Sequence, residues 1–426
     1  MVEGFSKAKP LLTREIPQYG ESPEDIVKDI LAEVRAKGDK ALLSYTKKLD
    51  GVELESLEVT RNEISDAYNS VDKALVAALK LAASRIEQFH VLCKKKLEPG
   101  FLTHDLGRLI RPLNRVGIYV PGGSAAYPST VLMSAIPARV AGVNEIFMVT
   151  PPKKNGVIPP PTLVAADIAG VNRVYKIGGA QAIAALAFGT ESVPKVDKIC
   201  GPGNVFVVTA KRMVYGTVDI ESLPGPSEII IVADETANVS FCAADLIAQA
   251  EHDPQASAIL ITTSSKLAKA VNSEIKLQLA KLKRKTIAAE ALKSRGMIVL
   301  VDNENEAIEL VNLYAPEHVS LMLRSASSLA KKIKNAGCIC IGGNSAVALG
   351  DYIAGPSHVL PTGGSARFSS PLGIEDFLKI TNVIAFDEAV QKELGQAAIT
   401  IAEAEGLEGH ARAIRLRLTN SKKETK

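Results

Sequence analysis

Behind Ser22-Pro23-Glu24-Asp25, a capping start with Pro at the first helical position, Ile26, Ile30, Leu31 and Val34 recur at helical spacing. Gly38 is expected to end that helix, and a second one is expected over 72–89. From Arg115 the rhythm changes. Val116-Gly117-Ile118-Tyr119-Val120 reads as a short apolar strand running into Pro121-Gly122-Gly123-Ser124. Helices over 130–141, 163–169, 180–187 and 205–214 then alternate with strands over 146–150, 174–177 and 196–200. After the turn Pro224-Gly225-Pro226 come strands over 228–233, 258–262, 297–301, 319–322 and 337–341, with helices between them, one over 239–251. This alternation predicts α/β units with parallel sheets and crossover helices. Beyond Pro371 the pattern turns helical again, ending over 402–416.

Ligands of parallel sheets bind beyond the carboxyl ends of the strands. Three of those ends carry glycine-rich turns: Pro121-Gly122-Gly123-Ser124, Gly178-Gly179-Ala180-Gln181 and Gly201-Pro202-Gly203-Asn204. Each precedes a helix, so free N–H groups and a positive dipole end suit an anionic ligand such as a dinucleotide. Any one such turn is equally explained as a tight strand-to-helix connection, and no G-x-G-x-x-G fingerprint occurs.

Composition narrows the classes. A chain of 426 residues should form at least two domains. A net charge of +3, aromatics at 4% and the absence of Trp argue against a nucleic-acid partner. Lys94-Lys95-Lys96 and Lys331-Lys332 read as solvated faces, and 421–424 as a frayed tail. The start carries no signal peptide and no stretch reads as a membrane span. Five scattered cysteines read as reduced thiols in the cytoplasm. Cys338 and Cys340 alternate with strand formers, so a buried strand is expected there rather than a metal clip.

Four of the six histidines lie in carboxylate-rich turns or helix ends. His90 is expected to pack at a helix edge and His104 lies apart from the other candidates. In Gln249-Ala250-Glu251-His252, Gln249 and His252 are three apart and share a helix face, half of a metal site or simply a helix end. Ala315-Pro316-Glu317-His318 brings a Glu and a His to one turn, the usual acid–base pair near neutral pH. The segment 350–364 carries Asp351 and His358 with almost no periodicity, and reads as a functional loop. Glu405 and His410 lie in a glycine-interrupted, helix-prone segment. Gln249, His252, Asp351 and His410 form an O, N, O, N set that zinc accepts. On these residues alone a zinc hydrolase using Glu317, or a two-lobed binding module, competes with a dehydrogenase.

Taken together, these segments resemble the histidinol dehydrogenase family from about Ser22 to Arg417. The matching runs are Gly117–Gly123, Gly178–Ala184, Gly201–Asn204, Gly225–Glu228, Gln249–His252, Pro316–His318, Gly350–Tyr352 with His358–Thr362, and Glu405–Leu407 with His410. The resemblance implies two incomplete Rossmann-like domains, at 107–230 on the NAD side and at 231–375 with the zinc and catalytic loops. It implies a helical N-terminal region, 1–106, packed on the second α/β unit. It also implies a helical C-terminal arm, 376–426, crossing into the partner's site in a homodimer. By the same resemblance, zinc is held by Gln249, His252, Asp351 and His410, and NAD touches Tyr119, Gln181 and Asn204. Substrate touches Ser227, His318, His358 and Glu405, besides the metal ligands. Glu317 and His318 are the acid–base pair. The implied activity is four-electron oxidation of L-histidinol through L-histidinal to L-histidine with two NAD, the last steps of histidine biosynthesis. A related enzyme for another small polar alcohol is the alternative.

Overall fold

The computed structural model describes residues 1–14, 23–122, 126–283 and 285–420. Ser22, Gly123, Ser124 and the tail segment 421–424 lie outside the described residues. The chain divides into two compact units, Met1–Lys94 with Leu113–Phe377, and Lys95–Pro112 with Leu378–Lys426.

The larger unit holds two parallel sheets. One orders its strands Arg173–Lys176, Glu145–Thr150, Arg115–Tyr119, Lys198–Cys200 and Asp219–Ile220. The other runs Val2–Glu3, Gly296–Leu300, Ser257–Thr262, Glu228–Ala233, His318–Met322 and Cys338–Ile341. Side chains alternate across a strand, and helices cover both faces of this second sheet. Thus Ile230, Val232, Ile259, Ile261, Val319 and Leu321 share one apolar cluster. Ile229, Ile231, Ala258, Leu260 and Met322 share another, with Leu246 of the helix Val239–Ala250. Burying each such aliphatic side chain contributes about 1.5–3 kcal/mol.

Most of the expected helices and crossover strands are present within a residue or a few of their predicted ends, and Gly38 does cap the helix Glu24–Lys37, but the helix expected over 402–416 is broken at 405–407 into the end of one helix and the start of another. Several features depart from the sequence reading. The N-terminal region, expected on the second α/β unit, is shared: Ala8 and Leu12 pack on the second sheet, but Val27, Ile30, Leu31, Val34 and Leu57 pack into the core of the first with Phe147 and Tyr175. Gly350, Asp351 and Tyr352, expected in a loop, end a short helix, Val347–Tyr352. Cys338 and Cys340 do lie on a strand, but on the edge strand of its sheet, so both are only half-buried. The second helix is longer, Lys73–Lys96, and His90 is fully buried within it, 1% exposed. The region after Pro371 is not wholly helical. Leu378–Ile384 pairs antiparallel with Leu106–Pro112, which in turn pairs with Phe101–Leu102, in the smaller unit's sheet. That unit also holds the helices Glu388–Ala404 and Glu408–Asn420, joined through Ile399, Ala402 and Ala411. No helix among the described residues is long and apolar enough to cross a membrane.

Candidate active site

The helix Glu304–Tyr314 ends at Ala315, the one non-glycine residue with positive φ (52°) among those described. A β-carbon makes that conformation costly, and such strain clusters at functional turns. Here it delivers Pro316 and Glu317 to the amino end of the strand His318–Met322. His318 pairs in register with Ile229 on one side and Cys338 on the other. Glu317 and His318 therefore lie at the amino ends of this sheet's strands, opposite to the ends where parallel sheets in general bind ligands. A turn after a helix, not a turn after a strand, carries the Glu317–His318 pair.

Glu317 and His318 are 7% and 5% exposed. The Glu228 N–H donates to Glu317 Oε2 at 2.8 Å, and Gln249 Nε2 lies 3.5 Å from the same oxygen. His318 Nδ1 is 3.3 Å from the Glu228 carbonyl oxygen and 3.6 Å from Glu317 Oε2, while Nε2 is 3.7 Å from Asp351 Oδ1. Burial alone would pull the His318 pKa down. The adjacent Glu317 carboxylate, with the charge of Asp351, outweighs burial and raises it to about 9. His358 Nδ1 lies 2.7 Å from the Asp351 carbonyl oxygen. Burial, against the pull of Asp351, keeps the His358 pKa below its ordinary value. The Gly225 N–H donates to Thr362 Oγ1, tying the turn that carries the half-buried Ser227 to the segment after His358.

Gln249 is buried on the helix Val239–Ala250, and His252 lies just past its end with an exposed side chain. Glu405 and His410, both exposed, belong to the smaller unit. No group of three or more His, Cys, Asp or Glu among the described residues is gathered closely enough to hold a metal ion.

At the first sheet, Gly178 and Gly179 open the helix Gly179–Phe188, and the Gly179 N–H donates to the buried Tyr119 hydroxyl at 3.2 Å. Burial raises the Tyr119 pKa to about 12, so the phenol stays neutral. Gln181 is 1% exposed and its Oε1 has no hydrogen-bond partner. Asn204 caps the helix Val205–Val214 by accepting from the N–H groups of Phe206 and Val207, both at 3.1 Å.

Two pairs of residues went unnoticed in the sequence. Lys211 Nζ, fully buried, donates to both Glu221 carboxylate oxygens (2.7 and 2.6 Å) and to the Gly201 carbonyl (3.2 Å). Glu221 in turn accepts from the Gly201 N–H at 2.8 Å. Gly201 has φ +118°, and a β-carbon there would overlap the Tyr119 main-chain oxygen. Arg14 bonds Glu228 Oε2 at 2.7 Å and donates from Nε to the Tyr314 carbonyl at 2.8 Å. Glu228 did leave a signal, as the one charged residue in a strand whose six residues are all buried. Arg14 left none.

The histidinol dehydrogenase family model matches residues 15–418. The histidinol dehydrogenase of Dehalococcoides mccartyi strain CBDB1 is 51% identical over 98% of this chain and 99% of its own length. That of Clostridium acetobutylicum is 52% identical over 92% of this chain and 91% of its own. The crystal structure of histidinol dehydrogenase from Elizabethkingia anophelis superposes with a TM-score of 0.93 at 38% identity, covering 99% of both chains. A buried Glu–His pair in a strained turn, glycine turns at the first sheet and this likeness along the whole chain agree, and the chain belongs to the histidinol dehydrogenase family.

Proposed function

We propose that this protein oxidises L-histidinol through L-histidinal to L-histidine, the last steps of histidine biosynthesis, with two NAD as hydride acceptors. The observation that carries the reading is the buried Glu317–His318 pair, held by one residue's main chain within a family match that spans nearly the whole sequence. In its neutral form, which becomes populated as pH rises toward its raised pKa of about 9, His318 accepts the hydroxyl proton as hydride leaves the carbinol carbon. Glu317 deprotonates the water that adds to the aldehyde. His318, having released the first proton to solvent, accepts a proton again as the second hydride leaves the hydrate. One base and one water activator thus serve both halves, and burial of the pair keeps the aldehyde from bulk water. Ser227, His358 and Glu405 contact the substrate, with His318 and the metal ligands.

Gln249, His252, Asp351 and His410 are the zinc ligands in this reading. Their oxygens and imidazoles suit zinc, with a carboxamide already turned toward Glu317 and an imidazole free at the helix end. Bound there, zinc supplies chiefly orientation of the substrate amine and imidazole. Tyr119, Gln181 and Asn204 contact NAD, and the orphaned Gln181 Oε1 suits a donor such as a ribose hydroxyl. The two sheets of the larger unit belong to two incomplete Rossmann-like domains. The protein acts as a homodimer whose arm, with Glu405 and His410, completes the partner's site. Five free cysteines suit a reducing cytoplasm.

The test is NADH absorbance with purified zinc-loaded protein, NAD and L-histidinol, counting NADH per histidinol consumed. Two are expected. One would mean that the aldehyde escapes. None would favour an enzyme of the same family for another polar alcohol.

A further inference from the structure

We propose that Arg14 and Glu228 form a positioning pair that holds Glu317 and His318 in register for the reaction. The inference rests on the assignment of Glu317 and His318 as the acid–base pair. Glu228 touches both through its main chain: its N–H donates to Glu317 Oε2 at 2.8 Å, and its carbonyl oxygen is 3.3 Å from His318 Nδ1. Whatever fixes Glu228 therefore fixes the base and the water activator together.

Its side chain is the handle. The carboxylate begins an otherwise apolar strand, is 6% exposed, and is bound by Arg14 Nη2 at 2.7 Å. Arg14 also donates from Nε to the Tyr314 carbonyl at 2.8 Å and stacks on the Tyr314 ring at 3.9 Å. Tyr314 immediately precedes the strained Ala315 and the Pro316-Glu317 turn. One guanidinium thus spans the two chain segments that present the pair, the start of Glu228–Ala233 and the end of Glu304–Tyr314. Its planar fork suits this double task, which a lysine ammonium would not match.

Charge makes the guanidinium necessary. The Glu228 and Glu317 carboxylates interact across a buried space. Burial and Glu317 push the Glu228 carboxyl up, while Arg14 and a Gly363 main-chain hydrogen bond pull it down. Without Arg14 the Glu228 carboxylate loses its counter-charge beside Glu317, and above the pH at which Glu228 takes up a proton the relief is for Glu317 to swing off the Glu228 N–H. Arg14 touches neither reacting group and acts only through Glu228.

The experiment uses the full-length zinc-loaded enzyme with Arg14→Met, alone and combined with Glu228→Gln. Residues that orient site groups in this way commonly change activity roughly 10- to 100-fold. Arg14→Met is expected to lower kcat by that factor per folded protein, with KM for histidinol and for NAD within about twofold. Adding Glu228→Gln keeps both main-chain bonds and removes the charge, and should recover most of kcat. A loss that merely tracks the folded fraction, or a double variant as slow as the single one, overturns the pair. A crystal structure of Arg14→Met needs no substrate. Displacement of Glu317 from the Glu228 N–H is expected, and an unmoved Glu317 and His318 overturn the proposal. Should the wild type fail to reduce NAD with histidinol while that displacement is seen, the substrate reading falls and the positioning pair stands.

Discussion

Glu317 and His318 are neighbours in sequence and share one buried space, yet the proposed function gives them different tasks. Only the second half of the reaction needs an activated water. Glu317→Gln is therefore expected to slow oxidation of supplied histidinal by about 10²–10⁴-fold, the usual worth of a general base, and to slow aldehyde formation far less. Single-turnover NADH traces with histidinol and with histidinal separate the two, and equal losses would sink the division of labour. His90 offers a residue-scale prediction about stability. Burial lowers its pKa from 6.5 to about 4, and neither ring nitrogen has a partner. The unfolded chain thus binds the proton more readily than the folded one. The stability that goes with a neutral His90 is complete above pH 6.5 and is lost as pH falls toward about 4. His90→Leu should remove about 2 kcal/mol of the wild type's acid destabilisation between pH 7 and 4.5. Asp50 and Asp245, both raised to about 6 by burial, titrate alike in the two proteins, so the difference between their urea midpoints isolates His90.

At the scale of elements, the Lys211–Glu221 pair clamps the turn at Gly201 to the last turn of the helix Val205–Val214. Breaking a fully buried pair strands a charge and costs about 3–5 kcal/mol. Lys211→Met should show that loss in denaturant unfolding and weaken NAD binding more than histidinol binding. Lys211→Met with Glu221→Leu should regain much of the stability, because no charge is left unpaired. A single variant as stable as wild type would refute the clamp. The parallel strands were legible in the sequence because burial on both faces forces short apolar runs, as in Glu228–Ala233. Leu378–Ile384 was not. Most of its residues are exposed, and no apolar run or clean alternation marks it. The short helix around Asp351 also escaped, since six residues carry too little periodicity to read. In the site, Glu317 and His318 stood out as a polar pair ahead of an apolar strand. Arg14 could not, because its partner Glu228 lies 214 residues away and neither charge carries a local pattern.

At the scale of the whole molecule, the residues proposed for one site are divided between two compact units. Gln249, His252, Glu317, His318, Asp351 and His358 belong to the larger unit, and Glu405 and His410 to the smaller. If the arm serves the partner subunit, defects in the two groups must complement. A His410→Ala chain lacks a zinc ligand for its neighbour, and a Glu317→Gln chain lacks the water activator of its own site. Either homodimer should be nearly inactive in the full four-electron reaction. In a mixed dimer, one site collects both defects and the other has none. Random reassociation of equal amounts makes half the dimers mixed, each with one intact site of two, so activity should recover to about one quarter of wild type in a twofold-symmetric assembly. An arm that folds back on its own chain leaves every site of every dimer defective, and the mixture stays as inactive as its parts.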